Sequence, residues 1–538
     1  MTVFVDTIIL GCGPSGLQLG YFFKQINKEY IILEKNSSPG SFFSKYPHSN
    51  ELISINKKYT GNNNKEFNLR HDWNSLLNNF EIQMGDFSDR YYPSRDELVR
   101  YFNNFAKKHE LNITYNTCIK NIVKKDNIFY LSSDKNNIWS CKNLIIATGL
   151  SKPNIPDIVN VELYSKHYSE YPTNYFLKSE NLNSYKNKKV LILGQGNSAF
   201  ELANILTPYC SNIVILGRGH YPIPSISTHY TGDLRSKYFN FYDTFILKSL
   251  NAFDHTEKKI VISKHKNNLL YIEKNCECHC PYYEEPNIGF HEIINCTGWL
   301  FDDSIFDISI KPKIDNKYPE IYGNYESTNV NNLFFIGALM HSFDYKKSSG
   351  GFIHGFRYLI DNFVKINYTN FIPLLFNKIS FVSSHISKRI NISSALYQMH
   401  GQLCDVFFKN TDKFWYYEQV PLSYLLSLSN TKIKLANTYI FILTLEYGKQ
   451  DANLKTIGSA QTKLGSESNA VLLHPVLRVF DNKNNTFGNN NIFHPSYNNI
   501  LNEPDLVELF HFDENLLANF TNKETYLKKI FKRIKMYK

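Results

Sequence analysis

The sequence has few of the residues that stabilise small secreted chains or membrane-spanning chains. It contains nine cysteines among 538 residues, an odd number, and no Cys-x-x-Cys pair. A disulfide framework is therefore not expected, and reduced thiols in a cytosol-like compartment fit best. Since no run of about 18 apolar residues occurs, no segment is predicted to span a bilayer.

A long stripe of one charge is also missing, although the net charge is +10. Basic runs are as short as Lys188-Lys189, so a solvated lysine-rich surface is expected and nucleic-acid binding is not. Aromatic residues, in contrast, make up 15% of the chain and apolar residues 43%. This composition excludes disorder as the main state and predicts a globular protein with several cores.

The two ends of the sequence carry no recognisable targeting pattern. Residues 3–10 predict a strand that leads directly into a glycine turn, with no basic region or cleavage site before it. The last four residues, Lys535 to Lys538, do not form a retention or lipidation signal. We therefore expect a cytoplasmic protein.

The first glycine turn has the pattern G-x-G-x-x-G and is followed by a helical stretch over 17–26. Such glycines let the backbone approach a pyrophosphate, whose charge lies at the helix N-terminus. The next strand ends in Glu34, 18 residues after Gly16, close to the spacing of about 20 for a carboxylate that binds ribose. The alternative is a glycine-rich turn of an ordinary α/β domain. The predicted contacts are Gly11, Gly13, Pro14, Ser15, Gly16, Glu34, Lys35 and Ser41.

A second glycine turn follows the apolar stretch 189–193, with alanine as its third small residue, a variant that the pattern allows. The strand after it ends beside Arg218, 19 residues beyond Ala199, and not beside an acid. A guanidinium can bind a 2′-phosphate bidentately, whereas a carboxylate would repel it. This predicts an NADPH site; NADH with a surface arginine is the alternative. The predicted contacts are Gly194, Gly196, Asn197, Ser198, Ala199 and Arg218.

Two dinucleotide sites indicate a resident FAD, whose ribose suits Glu34, and a nicotinamide that exchanges. The apolar strands over 143–147 and 292–296 end in Thr-Gly, and both resemble the strands at which two-dinucleotide flavoproteins leave and re-enter the FAD domain. A further strand, 332–336, leads toward a glycine pair where a helix N-terminus could face the flavin. These segments add Thr148, Gly149, Gly337 and Gly351 to the predicted contacts.

The predicted fold class is therefore α/β, with two Rossmann-like domains of the disulfide-reductase and flavin-monooxygenase type and a mixed α+β C-terminal domain. The FAD domain is expected in two pieces, 1–150 and 285–368, with the NADPH domain, 151–284, inserted between them. Residues 369–538 form the C-terminal domain, with strands predicted over 438–447 and 470–480. A capping-box pattern from Thr521 to Glu524 predicts a terminal helix.

Longer stretches resemble a known family. Residues 52–57, 67–76, 228–235 and 341–357 are similar to the FAD-dependent oxidoreductase domain-containing protein 2 family, which comprises flavoproteins of the endoplasmic reticulum associated with degradation, and to bacterial relatives. The stretches 402–405 and 473–478 extend this resemblance into the C-terminal domain. The animal members carry entry and retention signals that this sequence does not show, so a role in that compartment is not implied.

A more distant resemblance is to the flavin-containing monooxygenases, on the order of the motifs and on residues 92–101. Gly337 is followed by Ala338, where many disulfide-reductase relatives have aspartate. The leading hypothesis is therefore NADPH-dependent oxygenation, in which a flavin C4a-(hydro)peroxide transfers oxygen from O₂ to a soft nucleophile. The substrate would be an amine or sulfur compound, small or amino-acid-like. No metal is expected, and a homo-oligomer is compatible with the sequence.

Three residues are candidates for catalysis. By resemblance, Asn56 falls near the amide that flavin monooxygenases place over the flavin, with Lys57 as second choice. His341 lies near the predicted flavin edge together with Asp344, Lys346 and His354, and one of these could donate a proton. For each of them a structural role is the alternative. The run from Arg70 to Trp73 could bind substrate or form a buried salt bridge beside a packed tryptophan.

Two other functions stay open. A reductase would pass electrons to a disulfide or to a partner protein, although such enzymes usually place a Cys-x-x-Cys beside the flavin. The nearest pattern here is Cys276, Cys278 and Cys280 at a spacing of two, which could be inert thiols, a redox pair or a soft-metal site. Alternatively the flavin is structural and the C-terminal domain is a protein-binding scaffold.

Overall fold

The structure is a computed structural model that describes residues 2–218, 236–238, 252–255, 260–274, 288–345, 347–425, 439–447, 473–481, 506–511 and 532. It contains two parallel sheets of five strands and one antiparallel sheet of six strands, besides smaller sheets. The predicted fold class is confirmed, with two Rossmann-type α/β folds and a mixed C-terminal domain. The predicted terminal helix lies outside the described residues, apart from Lys532, and so do Cys276, Cys278 and Cys280.

The first parallel sheet contains the first glycine turn. Its strands, in spatial order, are Leu333–Phe335, Asn143–Ile146, Thr7–Leu10, Ile31–Leu33 and Ile113–Thr114. The helix after the turn begins with proline at its first position, where the missing N–H is not needed. It contacts two longer helices that also belong to this domain, Arg95–Lys108 and Ile353–Asn367. The helix after the turn spans Pro14–Gln25.

The single strand predicted over 3–10 is wrong, because the chain divides at Asp6. Thr2–Phe4 joins a separate four-stranded sheet, whereas Thr7–Leu10 lies in the first parallel sheet. The Asp6 carboxylate accepts a hydrogen bond from Thr7 Oγ1 and pairs with Lys28, which turns the chain between the two sheets. The other strands of the four-stranded sheet are Ile119–Lys125, Ile128–Ser133 and Ile138–Cys141.

The second parallel sheet contains the second glycine turn, followed by the helix Asn197–Leu206. Its strands, in spatial order, are Lys166–His167, Glu292–Asn295, Lys189–Leu193, Asn212–Gly217 and Ala252–His255. The expectation that the strand over 292–296 returns the chain to the first domain is wrong. It pairs directly with Lys189–Leu193, so a boundary at 285 would remove a central strand from the second sheet. We place the return to the first domain after Leu300.

The two crossings between these domains lie side by side. Lys152–Pro153 and Trp299–Leu300 form an antiparallel pair where the chain leaves the first sheet and comes back. Two further antiparallel pairs are Ile260–Lys264 with Leu270–Lys274 and Ile314–Asp315 with Tyr318–Pro319. Short helices complete this part of the chain: Lys65–Asn68, Val161–Tyr164 and Ser179–Asn183, and the 3₁₀ helices Met84–Asp86, Tyr168–Glu170, Tyr175–Leu177, Ser236–Tyr238, Ile308–Ile310 and Gly337–Ser342.

The C-terminal domain is an antiparallel sheet with helices on it, and both strands predicted in it are present. In spatial order the strands are Leu374–Phe376, Lys413–Pro421, Leu403–Asn410, Tyr439–Glu446, His474–Asp481 and Leu506–His511. Its helices are Ile379–Ile392, Ser394–Gln398 and Leu422–Leu425. One apolar core continues from the first parallel sheet into this sheet, whereas the second parallel sheet has cores of its own. Within the described part of the chain, every helix is too short or too polar to cross a membrane.

Candidate functional site

The three glycines of the first turn have separable roles. Gly11 has φ +107°, and a Cβ there would lie 2.9 Å from the carbonyl oxygen of Ala147. A Cβ on Gly16 would collide with the Gly11 carbonyl, so this glycine lets the helix pack against the turn. Gly13 differs, because a Cβ there would have no atom within 4 Å. The open space at Gly13, at the start of a helix, fits the close approach of a pyrophosphate.

Glu34 lies where a ribose-binding acid is expected. Its side chain is buried, and Oε2 accepts a hydrogen bond of 2.8 Å from the backbone N–H of Cys12 inside the glycine turn. Oε1 accepts two hydrogen bonds of 2.9 Å from Asn36. The carboxylate is thus fixed against the turn. Of the neighbouring candidates, Lys35 is exposed and Ser41 lies half-buried in the following loop.

Two other segments reach the first turn from the neighbouring strands. Gly149 has φ +65° and a Cβ there would meet nothing within 4 Å, so the backbone after Thr148 also borders open space. Gly337 has φ +72°, and a Cβ there would collide with the side chain of Ser15. The first turn is therefore covered on one side by the 3₁₀ helix that starts at Gly337.

The second turn repeats this arrangement. Gly194 has φ +108° and a Cβ there would lie 2.5 Å from the carbonyl oxygen of Cys296, while a Cβ on Gly196 would have no neighbour within 4 Å. Ala199 occupies the third position and is buried. Gly298, with φ +89°, borders open space as Gly149 does in the first fold. Sequence reasoning did not include Thr297 and Gly298 among the cofactor contacts, although their Thr-Gly pattern matched that of Thr148.

Arg218 lies at the end of the strand beside the second turn. The residue is exposed, and its Nη2 has one long contact of 3.4 Å to the carbonyl oxygen of Asp157. Its backbone carbonyl accepts a hydrogen bond of 3.1 Å from Gln195 in the turn. The backbone of Arg218 is therefore linked to the second turn, while its side chain is exposed. Asn197 and Ser198 start the helix that follows.

His341 lies in the 3₁₀ helix Gly337–Ser342 and is buried. Its Nδ1 lies 2.7 Å from Oδ1 of Asp344, which is fully buried. The other oxygen of Asp344 accepts a hydrogen bond of 2.7 Å from the N–H of Gly350. A Cβ on Gly351 would lie 2.7 Å from the His341 ring. The structure thus brings the predicted His341, Asp344 and Gly351 together; Lys346 lies outside the described residues.

The other two catalytic candidates occupy different positions. Asn56 is buried, and its Nδ2 donates to the carbonyl oxygen of Ser88 at 3.0 Å and to that of Arg90 at 3.5 Å. This amide therefore already holds a loop through its donor group. Lys57 is exposed, and the hydrogen bond described for it is a backbone contact of 2.9 Å to His71.

Charged residues of the stretch 70–73 join the first domain to the C-terminal domain. Arg70 is buried and donates to the carbonyl oxygens of Ile390 and Ser393 at 2.8 and 3.1 Å, and burial lowers its pKa to about 10. Asp72 accepts hydrogen bonds from Asn74 and Ser75, so the buried salt bridge considered for this stretch does not form. The half-buried Trp73 stacks on the buried His354 at 4.5 Å between ring centroids.

Sequence reasoning missed Arg357 and Glu201, two buried residues whose hydrogen bonds hold loops of the first domain in place. Arg357 is fully buried and donates to the carbonyl oxygens of Leu69, Asp72 and Ser75 at 2.8 to 3.0 Å. On the opposite side, Glu201 accepts hydrogen bonds from Ser49 and from Tyr168 in the gap between the two parallel sheets. Burial raises the pKa of Glu201 and lowers that of His48, beside Tyr168, to about 4.

The cysteines that the structure describes are poor redox groups. Cys12, Cys141, Cys296 and Cys404 are buried, and none of the described cysteines is paired. Burial, and then the charge of Glu34, raises the pKa of Cys12 well above its ordinary value, which opposes formation of the reactive thiolate. In the described ranges, no group of three or more His, Cys, Asp or Glu side chains could hold a metal ion.

Comparisons with known proteins agree with this architecture. Residues 8–337 match the family described as pyridine nucleotide-disulphide oxidoreductase. The chain is 35% identical over 478 residues to the FAD-dependent oxidoreductase domain-containing protein 2 of Mus musculus, covering 82% of this chain and 70% of that one. The protein of the same name from Danio rerio is 34% identical over 527 residues, covering 88% and 75% of the two chains.

Solved structures show the same fold at low identity. A flavin monooxygenase from Stenotrophomonas maltophilia matches with a TM-score of 0.52 at 17% identity, covering 66% of this chain and 96% of that one. A bacillithiol disulfide reductase from Bacillus cereus matches with a TM-score of 0.50 at 16% identity, covering 67% and 98%. These structures share the fold, whereas the curated relatives and the family model show the family. The chain therefore belongs to the FAD-dependent oxidoreductase domain-containing protein 2 family, and its residues 8–337 form a pyridine nucleotide-disulphide oxidoreductase domain.

Proposed function

We propose that this protein is an NADPH-dependent flavin monooxygenase. The overall reaction would consume NADPH, a proton, O₂ and a soft nucleophile, and would yield NADP⁺, water and the singly oxygenated product. The observation that carries the proposal is the pair of open glycine turns in two separate folds, combined with a sequence that has no Cys-x-x-Cys. Two dinucleotide sites without a Cys-x-x-Cys pair fit a flavin that passes its electrons on to oxygen.

Residues around the first turn suit a resident FAD. Gly13 would admit the pyrophosphate, Glu34 would accept the ribose hydroxyl groups, and Gly337 would close the turn from the neighbouring strand. A bound flavin supplies a carrier that takes up hydride and then reacts with O₂. The protein's own contribution would be to exclude water from this site and to hold protons at fixed atoms.

The second turn suits NADPH. Its exposed Arg218 would pair with the 2′-phosphate, and Gly196 would admit the pyrophosphate. Exposure of Arg218 fits a cofactor that binds, transfers hydride and leaves. Among the catalytic candidates we favour His341, because its ring lies on the segment that starts at the first turn. Asn56 would contribute by holding the loop at residues 88–90 in place, since its side-chain N–H groups are bound to carbonyl oxygens there.

A disulfide reductase is the second candidate function, because the matching family carries that description. Its requirement for a reactive thiol beside the flavin is poorly met by the buried Cys12. Cys276, Cys278 and Cys280 would have to supply the thiols in that case. A structural flavin on a protein-binding scaffold is the third candidate.

Oxygen uptake measured together with product mass tests these alternatives. We expect purified holoenzyme to oxidise NADPH with equal consumption of O₂, and to transfer one ¹⁸O atom from ¹⁸O₂ to an amine or thioether substrate. The control variant Gly196→Val should retain flavin and lose NADPH oxidation. Reduction of a disulfide by NADPH without O₂ uptake would support the reductase, and flavin that NADPH does not bleach would support the scaffold. Either result would overturn the proposal.

A further inference from the structure

The segment 341–351 folds around one buried carboxylate. Asp344 is fully buried, with Oδ1 2.7 Å from Nδ1 of His341 and Oδ2 2.7 Å from the N–H of Gly350. A backbone N–H can only donate, so Oδ2 of Asp344 is an acceptor. An acceptor role for Oδ1 as well would make His341 the donor through Nδ1 and would leave Nε2 as the nitrogen whose proton can exchange.

The glycine pair in the same segment is explained by this contact. A Cβ on Gly350 would collide with the carboxylate of Asp344, and a Cβ on Gly351 would lie 2.7 Å from the His341 ring. Neither glycine has a left-handed φ, so the requirement for glycine here is close approach and not backbone freedom. The turn before the helix Ile353–Asn367 thus packs directly against both the carboxylate and the imidazole.

We propose that Asp344 is a positioning residue that fixes the tautomer and orientation of His341, so that Nε2 serves as the proton-exchanging atom at the flavin edge. This inference rests on the proposed function, which assigns the flavin to the first turn. His341 belongs to the 3₁₀ helix that begins at Gly337, whose backbone touches Ser15 in that turn. Four residues of 3₁₀ helix span about 8 Å, which is the length of helix between His341 and the glycine that contacts the first turn.

The carboxylate would act by charge as well as by geometry. Hydride uptake would give a bound flavin negative charge. An imidazolium at His341, held by Asp344, could offset that charge or donate its Nε2 proton, which solvent would then replace. The other charged or titratable groups and rings around the pair belong to several segments. They are Lys317, Tyr318, Tyr325, Tyr345, Lys347 and Phe352.

The test is the pH dependence of flavin reduction by NADPH in holoenzyme variants. Asp344→Asn removes the charge while keeping the size of the side chain, and we expect the limb of the profile that belongs to His341 to move toward lower pH by about 1–3 units. In a His341→Gln background the same Asp344→Asn change should have no further effect on the profile. The matched control Asp361→Asn, which removes a carboxylate paired with Lys365 on the following helix, should leave the profile unchanged.

A second measurement does not depend on activity, and it requires only that His341→Gln folds so that the signals of His341 can be assigned. In the wild-type protein labelled with ¹⁵N-histidine, the signals missing from His341→Gln should belong to a ring protonated at Nδ1. An Nδ1 without a proton would overturn the proposal, as would an Asp344→Asn effect that persists in the His341→Gln background. A wild-type enzyme that is reduced by NADPH but forms no oxygenated product would instead refute the proposed function, with the test of Asp344 still valid.

Discussion

The two glycine turns have the same backbone but different surroundings. Gly11 and Gly194 have φ +107° and +108°, each beside the end of a neighbouring strand, and the second glycine of each turn borders open space. The first turn, however, lies in a core that continues into the C-terminal domain, with the carboxylate of Glu34 buried against it. The second turn lies in a fold with separate cores. The strand beside this turn is followed by the exposed Arg218.

Because the two turns share one backbone conformation, the difference between the two proposed sites lies in the residues that surround each turn. Around the first turn, Gly337 touches Ser15, and the helix after it is tied through Arg357 to the backbone of residues 69–75. In the second fold the acid position is occupied by a solvent-facing cation. A retained cofactor fits the first arrangement and an exchanging one fits the second.

The strongest test of this comparison is the same substitution in both turns. Gly13 and Gly196 have extended or ordinary φ values and free space at Cβ, so valine fits the folded protein at both positions. We expect Gly13→Val to yield protein without flavin, because the side chain would fill the space that a pyrophosphate needs. Gly196→Val should keep its flavin and lose reduction by NADPH. Flavin absorbance of the purified variants measures both outcomes.

Urea unfolding of the flavin-free proteins provides the control. Gly13 and Gly196 are the N-cap residues of their helices, where valine is disfavoured, so each variant should lose about 1 kcal/mol relative to the parent without flavin, and the two losses should be similar. Normal flavin content in Gly13→Val would show that the first turn does not hold the cofactor. Loss of flavin from both variants would remove the distinction between the two sites.

A smaller effect is expected at Arg218. Charge-assisted hydrogen bonds are worth about 1.5–3 kcal/mol, so Arg218→Ala should raise the KM for NADPH by roughly 10- to 100-fold. The KM for NADH should change far less, because that cofactor lacks the 2′-phosphate. Arg218→Lys, which keeps the charge but not the planar fork, should lie between the two. Equal changes for both nucleotides would show that the exposed cation does not select the cofactor.

Sequence patterns predicted both turns because local residues determine them. The glycine spacing, the apolar strands and the acid at Glu34 are all close in sequence, and each has the conformation expected of it. The strand Glu292–Asn295 was assigned to the wrong sheet for a related reason. It has the same Thr-Gly ending as the strand Asn143–Ile146, and this ending marks the neighbour of a glycine turn in either fold. Local sequence cannot distinguish between two copies of one motif.

The residues that join the domains could not be predicted in this way. Arg70 contacts the carbonyl groups of Ile390 and Ser393, 320 and 323 residues away in sequence, and Glu201 contacts Ser49 across 152 residues. Neither shows a period or a spacing that could indicate its partner, because the contacts exist only once the domains have packed. For the same reason the link between His341 and Asp344 was visible only as proximity in sequence, and the contribution of Gly350 was not visible at all.

The contact between the two dinucleotide folds includes a titratable group, which gives the smallest predicted effect. His48 is fully buried between them, and its ring lies 3.0 Å from the carbonyl oxygen of Tyr168. Burial lowers its pKa from 6.5 to about 4, so the unfolded chain binds more protons than the folded one between these values. This contribution to stability is complete above pH 6.5 and is lost as the pH falls toward 4. Lowering the pH from 7 to 5.5 should reduce the free energy of unfolding by about 1 kcal/mol through His48 alone.

Urea unfolding at the two pH values, compared with His48→Gln, isolates this contribution from that of the carboxylates. Glutamine can still donate a hydrogen bond to Tyr168 but does not titrate, so the variant should lose about 1 kcal/mol less than the parent between pH 7 and 5.5. On the other side of the first domain, Arg70 contacts the C-terminal domain through a guanidinium that stays charged throughout this range. Through His48, acid should therefore weaken the contact between the two dinucleotide folds, whereas the Arg70 contacts keep their charge. An identical pH dependence in parent and variant would mean that His48 has the same pKa in the folded and the unfolded chain, and that burial between the two folds does not affect its protonation.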